Sequence, residues 1–242
     1  MKKRKLISLR LAFIIALQCI MLSAKAQWSV GLQAGYTHNS LTTSSGYFYD
    51  RVYHAQGGFT VGVPVRYTFT DWFALGAEAT FVQKGYDARR SGFYDVLHED
   101  VSNNYLSVPL YARFSFGGTR LRGFVNAGGY LGGWISSYRK GTNYENFGLS
   151  DSESLTGFED IVNIYHYDEK VKFDSRRDNR FEAGAMAGVG ISYQLIANLE
   201  IFGECRYYHS LTDMQKSYMK KQVPRYNNTF AFQAGVMFYF GK

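Results

Sequence analysis

Apolar and polar residues alternate along eight separate stretches of the chain, and a period of two is typical of β-strands with one apolar face. In the last stretch Phe230, Phe232 and every second residue after them are apolar, whereas Thr229 lies on the opposite face. Each stretch provides the 9–11 residues with which a tilted strand crosses a bilayer. The predicted strands lie within residues 28–37, 58–69, 73–84, 105–116, 121–134, 181–193, 199–208 and 229–240.

The connections between these stretches alternate between short and long. Short ones fall near 70–72, 117–120 and 194–198. Outer-membrane barrels have short periplasmic turns and longer extracellular loops. We therefore predict an all-β fold, an eight-stranded antiparallel up-and-down transmembrane β-barrel that occupies residues 27–242. The long extracellular loops are predicted at about 38–57, 87–104, 135–180 and 209–228.

The two faces of the strands differ in the solvent that they suit. One face is almost entirely apolar, and the other carries a few charges among Gly, Ser and Thr, which is too few charges for a surface in water. We therefore expect the apolar face to contact outer-membrane lipid and the polar face to fill the lumen of a closed barrel, because closure leaves no unpaired strand edge in hydrocarbon.

Charged residues of the polar face are predicted to form a structural network inside the barrel. Each buried charge needs a partner, and Arg66 with Glu78 or Glu204 with Arg206 are close enough in the pattern to pair. The alternative is a proton or ion path, which a small barrel filled by side chains disfavours. The predicted network consists of Arg66, Glu78, Arg113, Glu182, Glu204 and Arg206.

Aromatic residues at the strand ends predict the interfacial girdles of a membrane barrel. The predicted girdle includes Trp28, Tyr67, Trp72, Phe114, Phe238 and Phe240. Other tyrosines fall in the longest connection and are candidate contacts for a partner or ligand, because a tyrosine has an apolar ring and a polar tip. These are Tyr138, Tyr144, Tyr165 and Tyr167, and residues 162–173 are expected to extend the barrel above the membrane as a hairpin.

Two prolines, Pro64 and Pro109, lie within predicted strands, and proline removes a donor from the ladder. We therefore expect β-bulges or strand ends at both.

The first 26 residues have the pattern of a secretory signal peptide. A basic stretch precedes the apolar run 11–22, and Ala24-Lys25-Ala26 is a cleavage site of the A-x-A type. This segment carries six of the 27 Lys and Arg, so 21 basic side chains remain against 20 acidic ones. No basic patch remains to indicate nucleic-acid binding. Cys205 is then the one remaining cysteine and is expected to be a wall residue.

Several pieces of the sequence resemble the PorT-like outer-membrane β-barrel proteins of Gram-negative bacteria. They are YLSVPLYARFSF (105–116), FVNAGGYLGGW (124–134), FEAGAMAGVGISY (181–193), RYYHSLTDM (206–214) and NTFAFQAGVMFYFGK (228–242). The resemblance implies an eight-stranded barrel located in the outer membrane and inserted by the barrel-assembly machinery.

Little in the sequence points to catalysis. No two of the five histidines have metal-ligand spacing, and we expect no metal site and no cofactor. We expect a non-enzymatic barrel that binds an envelope partner or an external ligand through its loops or wall. Two alternatives stay open, a small pore and a lipid-modifying hydrolase or acyltransferase that uses His209, Ser210 and Asp213.

Overall fold

All regular secondary structure among the described residues is β. The computed structural model describes residues 27–43, 51–90, 97–144, 164–216 and 224–240. Among these residues no helix is long and apolar enough to cross a membrane. The predicted signal peptide lies outside them. The strands are β1 (Gln27–Thr43), β2 (Arg51–Thr70), β3 (Phe73–Arg90), β4 (His98–Gly117), β5 (Leu121–Tyr144), β6 (Ile164–Lys170), β7 (Phe181–Ile196), β8 (Leu199–Ser210) and β9 (Arg225–Tyr239).

Eight of these strands close into a ring. Each pairs antiparallel with its neighbours, in the order β4-β3-β2-β1-β9-β8-β7-β5, and β4 pairs with β5 to complete the circle. The short β6 pairs with the upper part of β5, from Tyr138–Lys170 to Tyr144–Ile164, as the predicted hairpin. The prediction of an eight-stranded antiparallel barrel is confirmed, with β6 as an addition outside the ring.

The apolar face of the strands points outward. Leu32 and Ile191 are each 64% exposed on the outer surface, whereas Thr37 and Asn126 are fully buried inside. A protein folded in water has the opposite arrangement. Gly190, on the inner face of β7, makes room for a large neighbour, since a Cβ there would lie 2.3 Å from the Phe124 ring.

The strands extend further than the alternation predicted. Thr43 still belongs to β1, β4 already begins at His98, and β5 continues to Tyr144, so parts of all four predicted loops are strand. Above the membrane both faces of a strand can be wet, so pairing continues without an apolar face. The stretch Ser102-Asn103-Asn104 is such a case: it is polar throughout and fully paired.

The expectation of β-bulges at Pro64 and Pro109 was wrong. Both lie in mid-strand and point into the lumen, and the register of β1–β2 and of β3–β4 is the same on either side of them. A few residue pairs of the ladder are missing beside each proline, but the register does not shift. This is the effect expected when proline removes one backbone N–H donor. Pro64 lies opposite Glu78.

The two ends of the barrel differ. One end, here called the short-turn end, has the connections 71–72, 118–120 and 197–198. The other, the long-loop end, carries β6 and two described loop segments, 171–180 and 211–216.

Candidate functional site

Three layers of buried ion pairs lie inside the barrel. Their charged side chains are at most 7% exposed. From the short-turn end upward, the first layer is Arg66, Arg113 and Glu200, the second is Glu78, Glu204 and Arg206, and the third is Lys84 and Glu182.

The second layer is centred on Arg206, whose guanidinium binds two carboxylates. Its Nη1 and Nη2 donate to Glu78 at 2.7 and 2.9 Å, and its Nε and Nη2 donate to Glu204 at 2.9 and 2.7 Å. Gln33 donates to Glu78 and Asn126 donates to Glu204, each at 2.8 Å. Such paired and hydrogen-bonded charges can remain ionised away from water.

The first layer places one carboxylate between two arginines. Glu200 accepts hydrogen bonds from Arg66 at 3.1 Å, from Arg113 at 3.4 Å and from the Tyr239 hydroxyl at 2.6 Å. The Arg113 guanidinium also lies 3.4 Å from the centre of the Phe124 ring, so its planar face is covered.

In the third layer Lys84 Nζ lies 2.9 Å from both carboxylate oxygens of Glu182. The Tyr130 hydroxyl donates to the same carboxylate at 2.9 Å. The ammonium of Lys84 also lies over the rings of Tyr105 and Tyr130, at 4.8 and 5.0 Å. Across the three layers four cations face four carboxylates, so the network has no net charge.

The structure places all six residues of the predicted network inside the barrel, but it does not pair Arg66 with Glu78. Arg66 lies two residues nearer the short-turn end than the position opposite Glu78, and it binds Glu200 across the lumen instead. Lys84 and Glu200 were absent from the predicted network. Both could have been predicted from the alternation pattern, since both fall on the polar face of their strands.

The predicted girdle residues lie at the short-turn end. Trp28 and Trp72 are 56% and 57% exposed, and the ring centres of Trp28 and Tyr67 are 4.8 Å apart. The ring centres of Phe114 and Trp72 are 6.2 Å apart, and those of Phe238 and Phe240 are 5.4 Å apart.

A second group of rings lies towards the long-loop end. It includes the pairs Phe59–Phe81 at 5.5 Å and Tyr207–Phe230 at 4.7 Å. Phe230 and Phe240 are ten residues apart in one strand pattern, which for a tilted strand is about 25 Å, the height of the apolar band of a membrane barrel.

The predicted loop tyrosines belong to the β5–β6 hairpin. Tyr138 is 44% exposed, and Lys170 Nζ lies 6.0 Å from its ring centre. Tyr167 is half-buried opposite Gly141. Tyr144 and Tyr165 lie in the same hairpin, but their side chains are outside the described part.

Two loop segments, 171–180 and 211–216, bind each other at the long-loop end and are here called the cap. Asn179 N donates to Met214 O at 2.9 Å, and Lys216 N donates to Arg177 O at 2.8 Å. Arg180 exchanges hydrogen bonds with the Trp134 carbonyl and amide. Met214 is buried against Tyr105 and Trp134. The cap is therefore attached to the barrel wall at more than one point.

A cavity of about 320 Å³ lies between the cap and the wall and is here called the mouth cavity. Two ion pairs line it: Arg139 Nε lies 3.4 Å from Glu99, and Arg177 Nε lies 2.8 Å from Asp178. Arg225, Asn103 and Gln215 complete its charged and amide lining.

The carboxyl group of Asp178 holds the cap segment 171–180 in its turn. Burial alone would raise the pKa of Asp178, but hydrogen bonds from the Arg177 side chain and the Asp174 amide outweigh burial and lower this pKa below its ordinary value. Asp178 Oδ2 accepts from Asp174 N at 2.8 Å. At neutral pH this carboxylate is ionised.

The structure does not assemble the candidate lipid-modifying triad. His209 and Ser210 are adjacent in β8, so their side chains point to opposite faces of the sheet. His209 Nδ1 bonds Asn228 at 2.7 Å, the Ser210 hydroxyl donates to Thr212 O at 2.9 Å, and Asp213 accepts from the amides of Gln215 and Arg225. Cys205 lies on the wall as a free thiol.

Known proteins resemble this chain at two levels, a family model and individual solved structures. The model of the outer membrane protein beta-barrel domain matches residues 18–216. No curated protein matches the chain. Among solved structures, Neisserial surface protein A is similar at 14% identity, with 86% of this chain and 96% of that chain covered and a TM-score of 0.42.

Two further outer-membrane structures are similar at TM-scores of 0.47. They are OprG from Pseudomonas aeruginosa, at 9% identity with 88% of this chain and 96% of that chain covered, and the outer membrane protease OmpT from Escherichia coli, at 10% identity with 89% and 96% covered. Likenesses this distant carry no functional argument. The match of the domain model spans most of the chain, which therefore belongs to the outer membrane protein β-barrel domain family and is located in the outer membrane.

Proposed function

We propose that this protein is a closed, non-conducting barrel that acts by binding an external ligand at its long-loop end. In this proposal the long-loop end faces the outside of the cell and the short-turn end faces the periplasm. Residues 1–26 direct export. The order of the five sequence pieces described above supports membership of the PorT-like group within the family, with insertion by the barrel-assembly machinery.

The observation that carries this proposal is the contrast between lumen and mouth. The lumen holds eight charged side chains in three hydrogen-bonded layers whose charges cancel in total, and an eight-stranded barrel is only wide enough to be filled by side chains. An ion path would need water in the lumen and charged side chains that can release one partner and bind another. The long-loop end instead provides a cap, a cavity and an exposed hairpin.

Planar-bilayer recording of the purified, full-length protein tests the closed lumen. We expect no conductance above the lipid baseline at neutral pH. A double variant, Lys84→Gly with Arg206→Gly, removes side chains from two layers and serves as the opened control. A heat-modifiable shift on electrophoresis shows that each preparation is folded. Steady conductance by the unaltered protein would overturn the proposal in favour of a pore.

Lipid-modifying activity is the remaining alternative, and the separation of His209 from Ser210 argues against it. The lipid profile of the outer membrane should be the same with the unaltered protein and with a His209→Ala, Ser210→Ala variant. A difference between the two profiles would favour the enzyme.

A further inference from the structure

One amide side chain of the mouth cavity has no hydrogen-bond partner among the residues that the structure describes. Asn103 is 1% exposed, and neither its amide nitrogen nor its amide oxygen makes a hydrogen bond there. A buried amide without hydrogen bonds is costly, and native proteins keep few of them. Because Asn103 lines the mouth cavity, a molecule in the cavity can supply both the missing acceptor and the missing donor.

A second buried donor lies beside Asn103 on the wall of the cavity. Asn103 pairs with Ser137 across β4 and β5, and Arg139 follows two residues later on β5. All three residues line the cavity. Arg139 Nε is within ion-pair distance of Glu99, at 3.4 Å, but it is buried and makes no hydrogen bond. This part of the wall therefore presents two unmet donor groups and one unmet acceptor.

The charged side chains of the lining already have partners within the protein. Arg139 pairs with Glu99, and Arg177 pairs with Asp178 at 2.8 Å. Arg225 has an interaction within the protein as well. A charged ligand would have to displace one of these partners, whereas a neutral ligand leaves them in place. The lining therefore favours a neutral ligand.

The aromatic part of the lining offers little to an apolar ligand. Trp134 lines the cavity, but Tyr105 stacks in parallel on its ring at 5.9 Å and Phe173 meets the ring edge-on at 4.9 Å. The ring surfaces are therefore largely used within the protein, and the ligand is selected by hydrogen bonds.

Hydroxyl groups match what the wall lacks. Each hydroxyl both donates and accepts hydrogen bonds, whereas a carboxylate only accepts. Two neighbouring hydroxyls can accept from Asn103 Nδ2 and from Arg139 Nε and donate to Asn103 Oδ1. The cavity volume of about 320 Å³ is at the small end of ligand sites, which suits a single sugar ring.

From these features we infer that the mouth cavity binds a neutral monosaccharide, whose adjacent ring hydroxyls bind Asn103 and Arg139. This inference rests on the proposed function, since it names the class of external ligand, and it adds a site on residues that the sequence patterns did not single out.

The protein carries its own reporter of this site. Trp134 lines the cavity, whereas Trp28 and Trp72 lie at the opposite end of the barrel, so a Trp28→Phe, Trp72→Phe variant has Trp134 as its one tryptophan. Its emission is followed in lipid nanodiscs while D-glucose, D-galactose or D-mannose is added. Two compounds serve as comparisons: D-glucuronate has a sugar ring with a charge, and cyclohexanol has a six-membered ring with a single hydroxyl.

We expect a saturable change in Trp134 emission with at least one of the three neutral sugars. D-glucuronate and cyclohexanol should each bind about tenfold more weakly than that sugar, a difference that the loss of one or two hydrogen bonds explains.

Asn103→Ala should weaken binding of the neutral sugar by about tenfold for the same reason. Asn104→Ala is the matched control, because Asn104 is the next residue on the other face and already binds Ser136 at 2.9 Å. Its affinity for the sugar should not change. Without sugar, Asn103→Ala should not lower the free energy of unfolding in urea, because the amide makes no hydrogen bond in the described structure.

A folded barrel that binds none of the three neutral sugars would overturn this inference, and so would equal losses of affinity in Asn103→Ala and Asn104→Ala. Binding of D-glucuronate or cyclohexanol as tight as that of the neutral sugars would overturn the ligand class and leave a binding site at the long-loop end. Conductance in the bilayer recording would instead overturn the proposed function, so the two failures are distinguishable.

Discussion

The lumen and the mouth cavity use the same residue types in opposite ways. In the lumen Arg206 has both neighbouring carboxylates bound at 2.7–2.9 Å, and the charges of the network cancel. In the mouth two ion pairs line the cavity, and Asn103 is buried without a hydrogen-bond partner in the described structure. The difference teaches that the side chains of the lumen satisfy one another, whereas the mouth leaves a buried amide available to a further hydrogen-bonding group.

Removal of Arg206 should disrupt the ion-pair network of the lumen and have the largest effect on the free energy of unfolding. Arg206→Ala leaves Glu78 and Glu204 buried without their main partner, and breaking a buried pair costs about 3–5 kcal/mol. Urea unfolding of the barrel in lipid vesicles measures the free energy of unfolding. Arg89→Ala is the control, because Arg89 is 61% exposed and pairs with the single carboxylate of Asp87, so its removal should cost clearly less than Arg206→Ala. Similar losses in the two variants would contradict the account.

Filling the space beside Phe124 should have an intermediate effect. A Cβ in Gly190→Ala would lie 2.3 Å from the Phe124 ring and 2.4 Å from the Gly203 carbonyl, and overpacking costs about 1–3 kcal/mol. Gly133→Ala is the matched change on the outer face, where nothing lies within 4 Å of the new Cβ. The same unfolding assay should separate Gly190→Ala from Gly133→Ala. If both were neutral, the lumen would be looser than the structure shows.

The smallest expected effect concerns the cap and pH. The pKa of Asp178 is lowered in the folded state, so its contribution to holding the cap is present above its ordinary pKa of about 4 and is lost as the pH falls below that value. Limited proteolysis should therefore cleave the cap faster at pH 3 than at pH 6. Asp178→Asn should reduce this difference between the two pH values. A cap equally resistant at both pH values in the unaltered protein would show that Asp178 does not hold it.

The sequence was sufficient to predict the barrel, but not which charged side chains pair with each other inside it. The alternation of apolar and polar residues assigns each residue of a strand to one face, and it placed Arg66, Glu78 and Arg206 on the inner face, where the structure has them. Pairing depends on which strands face each other across the lumen. Arg66 and Glu200 are 134 residues apart, and no local pattern connects them.

The mouth cavity was beyond sequence reasoning for a related physical reason. Its charges come from β4, β5, the cap and the start of β9, where strands are wet on both faces and alternation carries no signal. Asn103 lies between two other polar residues, Ser102 and Asn104, so the sequence does not show which of the three points inward. The folded barrel shows that Asn103 does.

Thiol labelling in intact cells tests most directly whether the mouth is open to the outside and the lumen is closed. In a Cys205→Ala background, Gln215→Cys places a thiol at the mouth cavity, Thr80→Cys one in the lumen and Thr68→Cys one at the short-turn end. A membrane-impermeant maleimide should label Gln215→Cys and leave Thr80→Cys and Thr68→Cys unlabelled. Labelling of Thr80→Cys as fast as Gln215→Cys would contradict the closed lumen, and labelling of Thr68→Cys alone would reverse the orientation.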